Sequence, residues 1–207
     1  ALCALLSNQG DERFLAAGSY LNEIRAQLLD FIATNPPKFG VNWACTMDVA
    51  IRLANWLLTL DLLAVNNLYL DDESMSVISK SVSSHATYVE KHLEWSEFRR
   101  SNHYLADLVG LLYASSRLPQ SRRTDAWLVF AAKELMNEGL VQFHAEGSSY
   151  EGSTNYNRLS AEILLFGVAI IAGLSGERLA QLENYSASSI KIRPPFPSDP
   201  LRKYSDV

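Results

Sequence analysis

The sequence predicts an all-α protein made of stacked antiparallel helical hairpins. Apolar residues recur with a 3.6-residue period along most of the chain, and strand-type alternation is nearly absent. Helices with a single apolar face alternate with helices that are apolar on almost every face. The second kind belongs inside a protein, so the alternation sets outer helices beside inner ones in an α/α arrangement. A simple bundle would produce part of the same pattern. No motif recurs at a short fixed period, which argues against a solenoid.

Each element carries its own signal. From Asp11 to Thr34, Phe14, Ala17, Leu21, Ile24, Leu28 and Phe31 fall at steps of three and four and define one buried face. Asn35-Pro36-Pro37 ends that helix, because proline lacks an amide hydrogen and disfavours helix in the residue before it. The segment from Cys45 to Leu63 is largely apolar, interrupted by a stripe of Asp48, Arg52, Asn55 and Thr59 at i, i+4, i+7 and i+11. A helix over Asp72 to Glu94 is amphipathic again, with Met75, Ile78, Val82, Ala86, Val89 and Leu93 opposite a Ser- and Lys-rich face. Asn102 to Ser116 holds Asp107 in an apolar setting, and Leu159 to Leu174 reads as another buried helix. The helical pattern stops near Ser186, and Pro194, Pro195, Pro197 and Pro200 mark the rest of the chain as an extended segment. Residues 1–186 are therefore expected to form the helical domain and residues 187–207 a proline-rich tail or linker.

Composition excludes several classes. A chain of 207 residues that is 48% hydrophobic makes one globular domain, or at most two small ones, with a substantial core. Four Trp, nine Tyr and eight Phe argue against disorder. The net charge of −5 argues against a dedicated nucleic-acid binder, which needs a basic face to displace phosphate counterions. Cys3 and Cys45 allow at most one internal bridge and fit no zinc spacing. The most apolar run, Ile163 to Leu174, falls short of the about 20 residues that span a bilayer. The opening residues have no basic flank or signal-type apolar stretch, and the sequence does not begin with Met. The P-loop, G-x-G-x-x-G, H-E-x-x-H, C-x-x-C and G-x-S-x-G motifs are all absent.

Three polar clusters remain, each abutting a buried helix. The stripe Asp48, Arg52, Asn55, Thr59, preceded by Val41-Asn42-Trp43, reads equally as an ion pair between inner helices or as the lining of a cleft. In Arg99-Arg100-Ser101-Asn102-His103-Tyr104, Ser101 is a favoured N-cap and Asn102 and His103 fall in the first helical turn. Free backbone N–H groups and the positive end of the helix dipole favour an anion there. Capping and packing alone would account for the same residues. The third cluster is the Gly- and Ser-rich loop from His144 to Arg158, with Tyr150 and Tyr156 as polar-tipped aromatics at its edges. His85 and His92, on the exposed-looking third helix, and His144 carry no functional expectation.

Taken together, these residues bring a resemblance into view. Asn42-Trp43 with Met47-Asp48-Val49-Ala50-Ile51-Arg52 and Asn55-Trp56, then Ser101 to Leu111, then Glu151-Gly152-Ser153-Thr154-Asn155-Tyr156, resemble in order the helical domain of the heparinase II/III polysaccharide lyases, relatives of the oligoalginate lyases. The resemblance spans roughly residues 10 to 175. It implies an incomplete α/α toroid in this chain, followed in the whole protein by an antiparallel β-sandwich, with a sugar-binding cleft between them. It implies periplasmic or secreted location and an acidic polysaccharide or oligosaccharide as partner, with no nucleic acid and no membrane span. It gives no cofactor to this chain; where the family uses a metal, the resemblance puts it in the β-sandwich.

The chemistry implied is β-elimination on a uronic acid. Asn102 and His103 match the positions that hold the C6 carboxylate and stabilise the enolate-like intermediate. Tyr156 matches the catalytic tyrosine, an acid at O4 and for some substrates a base at C5. Base duty would need a cation nearby, since free tyrosine titrates near pH 10; Arg158 and Arg52 are the candidates. Trp43, Tyr104 and Tyr150 are expected to stack on sugar rings, and Arg99 or Arg100 to meet a sulfate or second carboxylate. Asp48, Arg52, Glu151 and Arg158 complete the expected substrate-binding set. Many relatives have His after the tyrosine, where this chain has Asn157. The alternatives are a glycan-binding relative without turnover and a helical interaction module with no glycan.

Overall fold

The structure is a computed structural model that describes residues 12–96 and 100–184. These hold α1 (Glu12–Thr34), a 3-10 turn (Val41–Trp43), α2 (Thr46–Val65), α3 (Asp72–Lys91), α4 (Asn102–Arg117), α5 (Arg122–Gln142), α6 (Thr154–Ala172) and α7 (Gly176–Asn184). Among the described residues there is no strand, only an isolated bridge between Phe143 and Ser149. The fold class is all-α, as the periodicity predicts. Cys3, Arg99 and the expected tail over residues 187–207 lie outside the described residues.

Local chemistry sets the helix boundaries. Asp71 caps α3 by accepting from the Ser74 amide at 2.8 Å, and it also accepts from Arg25 Nε of α1 at 2.8 Å. Its carboxyl is held well below the usual carboxylate range by these hydrogen bonds, those from Ser74 first. Ser121 and Thr124 form a reciprocal capping box at the start of α5. Ser153 caps α6, so that helix begins at Thr154, and Tyr156 falls inside its first turn rather than in the preceding loop. Ser101 sits at the N-cap of α4 but makes no side-chain cap bond; the carboxylate of Glu151 meets the first α4 amide instead.

Helix α4 is the centre of the molecule. Every residue from Tyr104 to Ser115 is buried, and α2, α5, α6 and α3 pack around it. Leu53, Leu105, Leu108, Leu111, Leu112 and Leu128 are fully buried, and each contributes about 1.5–3 kcal/mol relative to exposure. Helices α2 and α4 approach closely at Gly110, where an added Cβ would lie 3.0 Å from Ala50 Cβ and 3.1 Å from its backbone. That glycine lets α2 and α4 meet backbone to backbone.

Side-chain bonds show how the helices run. Glu94, just past α3, links the start of α2 to the start of α4. Gln142 at the end of α5 reaches the Ser101 carbonyl, and Asn157 at the start of α6 accepts from the Ser149 amide. The starts of α2, α4 and α6 therefore share one end of the molecule with the ends of α3 and α5. Inner and outer helices alternate in direction, as stacked hairpins require.

Two expectations change. The apolar run of α6 predicts burial, yet only Ser160 and Gly167 are buried, while Leu165 is 69% and Val168 39% exposed. The helix lays one face on α4 and α5, and no described residue covers the other. The Ser-rich α3 is expected to expose His85, which is instead 1% exposed between α2 and α3. Among the described residues no single helix is long and apolar enough to cross a membrane; α6 and α7 pass that test only as a pair bent by 110°.

Candidate active site

The stripe on α2 resolves into a packed clip. Arg52 Nε donates to His85 Nε2 at 3.0 Å, and Nη2 donates to the Asn42 carbonyl at 2.9 Å. Its guanidinium lies 4.7 Å from the Phe31 ring and 5.5 Å from that of Trp43. Because arginine only donates, His85 Nε2 must accept, so the proton sits on Nδ1 and goes to the Ser81 carbonyl at 2.8 Å. Burial, aided by the neighbouring Arg52 charge, pushes the His85 pKa down to about 4. Burial also lowers that of Arg52. Trp43 is 2% exposed, its ring against His85 and Tyr88, and its carbonyl accepts from the Tyr88 hydroxyl. Asp48 is exposed on α2, and no ion pair joins it to Arg52.

The start of α4 is densely hydrogen-bonded. Asn102 is 3% exposed; its backbone N–H donates to Glu151 Oε1 at 3.4 Å, and its Nδ2 donates to both carboxylate oxygens at 3.3 and 3.2 Å. These are long contacts, so the carboxylate is held loosely. Asn102 Oδ1 is buried without a hydrogen-bond partner. His103 Nδ1 lies 3.1 Å from Glu94 Oε2, and the ring is partly exposed. That same oxygen accepts from the Met47 amide at 2.8 Å, and Cys45 Sγ lies 3.9 Å from it and 4.0 Å from His103 Nδ1. Burial, with Glu94 and Asp48 near by, raises the Cys45 thiol pKa. The Glu94 amide in turn donates to Asp107 Oδ2 at 2.7 Å, and burial raises the Asp107 pKa well above the ordinary value.

Beneath this layer lies a buried carboxylate. Glu138, with a fully buried side chain, pairs with Arg100 and accepts from Gln142 Nε2 at 2.8 Å. Arg100 also lies over the Trp95 ring at 5.2 Å. Tyr104 is fully buried and its hydroxyl donates to Glu134 at 3.3 Å, with burial raising its pKa strongly.

The loop from Phe143 to Ser153 closes over this end. The Tyr150 amide donates to the Gln142 carbonyl at 3.1 Å, and the Ser149 amide to Asn157 Oδ1 at 2.6 Å. Tyr150 is 42% and Tyr156 51% exposed. Arg158 turns to Glu162 on the exposed face of α6, at 2.8 Å. The structure thus brings Asn102, His103, Glu151, Tyr150 and Tyr156 to one end of the molecule, with Arg100 and Tyr104 beneath. Arg52, Trp43 and Asn42 form a separate cluster between α1, α2 and α3. A cavity of about 410 Å³, lined by Tyr113, Arg117, Phe166 and Arg178, lies at the opposite ends of α4 and α6 and contains none of these residues.

The family model of the heparinase II/III N-terminus matches the chain over residues 4–186. The chain belongs to the heparinase II/III family. It is a family of polysaccharide lyases, and the matched part is its N-terminal domain. No curated protein and no solved structure matches the chain significantly.

Several residues of this heparinase II/III domain escape a reading by motif. Glu94 lies in the segment after α3, which ends at Lys91 rather than at Glu94 as the periodicity predicts, and nothing in the local sequence points to its partners. Glu138 and Gln142 follow Leu128, Ala131 and Leu135 on the buried face of α5, and a polar residue on an apolar face needs a buried partner. Asp61 of α2 lies outside the stripe and accepts from Tyr113 and Arg117 at 2.5 and 2.6 Å. Cys45 gives no signal in spacing.

Proposed function

We propose that the whole protein is a polysaccharide lyase that cleaves an acidic, uronic-acid-containing glycan by β-elimination, and that this end of the helical domain binds the uronate at the cleavage point. The observation that carries the reading is the pair of donors on Asn102, backbone N–H and Nδ2, which already hold a carboxylate, that of Glu151. A substrate carboxylate presents the same two oxygens and takes the place of Glu151, whose contacts are long enough to exchange. At the start of α4 it also gains from the helix dipole.

The reaction removes the C5 proton, forms the C4–C5 double bond and breaks the C4–O4 bond, and the departing oxygen takes up a proton. Asn102 and His103 hold the carboxylate as charge builds on it, where preorganised donors act most strongly. Tyr156, whose hydroxyl makes no hydrogen bond among the described residues, is the proton donor to O4. Glu94 is a positioning residue that fixes the His103 ring through Nδ1. Tyr150 offers an exposed ring for stacking and Arg158 a cation at the rim, while Arg100 and Tyr104 support the site from inside the protein; Arg52 and Trp43, packed in their separate cluster, take no part in binding. The helical domain forms one wall of the cleft as part of an α/α toroid. A β-sandwich forms the other, as in the oligoalginate-lyase type, and the protein works in the periplasm or outside the cell.

The test is to incubate the full-length protein with a panel of glycosaminoglycans and alginate and to follow the ultraviolet absorbance of unsaturated uronate. Absorbance with at least one polymer is expected. If no polymer yields product yet one raises the melting temperature, the protein is a glycan binder without turnover. If none does either, the helical domain is an interaction module.

A further inference from the structure

We propose that Cys45, Glu94 and His103 form a zinc-class divalent metal site. The three ligand atoms come from three elements: Cys45 Sγ from the N-cap of α2, Glu94 Oε2 from the segment after α3, and His103 Nδ1 from the first turn of α4. They lie 3.1, 3.9 and 4.0 Å apart and all three residues are partly exposed, so an ion can enter from solvent.

The geometry fits. Zinc bonds of about 2.0–2.3 Å arranged tetrahedrally put ligand atoms about 3.3–3.6 Å apart. Each observed separation falls within about half an ångström of that range, and a small rotation of the Cys45 side chain closes both sulfur edges. Three protein ligands leave the fourth position open, the pattern of zinc sites that hold water or substrate. A thiolate with an imidazole and a carboxylate is a borderline-soft set that selects zinc, or cobalt as its substitute, over magnesium or calcium. The carboxylate is already oriented: Glu94 Oε2 accepts from the Met47 amide at 2.8 Å, and the Glu94 backbone is pinned to Asp107 at 2.7 Å.

Binding displaces the thiol proton of Cys45 to solvent. With the ion on Nδ1, the ring proton of neutral His103 moves to Nε2. Without the ion, a neutral ring that donates from Nδ1 to Glu94 leaves Nε2 able only to accept. Metal therefore turns the outward nitrogen into a donor without adding a proton to the ring. The consequence for a substrate carboxylate rests on the lyase reading, whereas binding of the ion does not.

The experiment is a cobalt(II) titration of the chelator-treated full chain, read by thiolate-to-cobalt charge-transfer absorption. One equivalent should develop the band, and zinc should bleach it. Cys45→Ser should abolish the band, Cys3→Ser should leave it, and Glu94→Gln and His103→Ala should each weaken cobalt binding at least tenfold. Absence of the band in the unaltered chain, its survival in Cys45→Ser or its loss in Cys3→Ser would overturn the site. The unaltered chain decides the matter even if a variant fails to fold. A cobalt band in a protein that cleaves no polymer leaves the site standing and sinks the lyase reading; cleavage without a band does the reverse.

Discussion

Acidification should weaken this protein through His85 in a way that can be isolated. The ring is 1% exposed, accepts from Arg52 and is held neutral, with its pKa pushed from the ordinary 6.5 down to about 4. The unfolded chain therefore binds more protons at this position than the folded one between about pH 6.5 and 4. Stability rises with pH across that window and falls as pH drops through it. Integrating the two titrations from pH 7 to pH 4.5 gives a loss of about 2 kcal/mol from this residue. Protonation would also set an imidazolium against the Arg52 guanidinium, which no described carboxylate offsets at hydrogen-bond distance. The perturbation is His85→Gln, which keeps an acceptor near Arg52 and removes the titration. Urea unfolding of both proteins at pH 7 and pH 4.5 lets the carboxylate contributions cancel. The unaltered protein should lose about 2 kcal/mol more than the variant. Equal losses would show that His85 is not held neutral and that the Arg52 clip is misread.

Three further predictions concern packing and buried charge. Arg100→Ala leaves the Glu138 carboxylate in the interior without the guanidinium that neutralises it, and should cost about 2–4 kcal/mol by urea unfolding. Glu138→Gln in that background should recover part of the loss, and a neutral outcome for Arg100→Ala would refute the pairing. Gly110→Val forces α2 and α4 apart at Ala50 and should destabilise by about 1–3 kcal/mol. Gly18→Ala, in a helix with nothing within 4 Å of the new methyl, should stabilise by about 0.5–1 kcal/mol; a reversal of these signs would contradict the helix packing described.

The helices were legible in the sequence because their signals are local. Phe31 and Leu28 on one face and Pro36-Pro37 as a stop each act within a turn or two. The start of α4 was legible as well, since Ser101 marks the N-cap position and Asn102 and His103 fall in the first turn. The partners of those residues were not legible. Glu94 lies 9 residues from His103 and Glu151 lies 49 from Asn102, and such pairings are set by how α2, α4 and α6 stack. The exposure of α6 was hidden for a related reason: Leu165 and Val168 look like core residues, and burial depends on what packs there. Arg52 shows the limit of a spacing argument. Asp48 at i−4 invites an ion pair, but His85 and the Asn42 carbonyl, with two aromatic faces, hold the guanidinium instead.

The most direct measurement is the initial rate of unsaturated-uronate formation by full-length Tyr156→Phe on the polymer that the unaltered enzyme cleaves fastest, with a melting curve on the same sample. Removing one exposed hydroxyl should lower the rate by about 10²–10⁴-fold and leave the melting temperature where it was. A variant that cleaves at the unaltered rate, or one that no longer folds, would contradict the placing of Tyr156 as the proton donor beside Asn102 and His103.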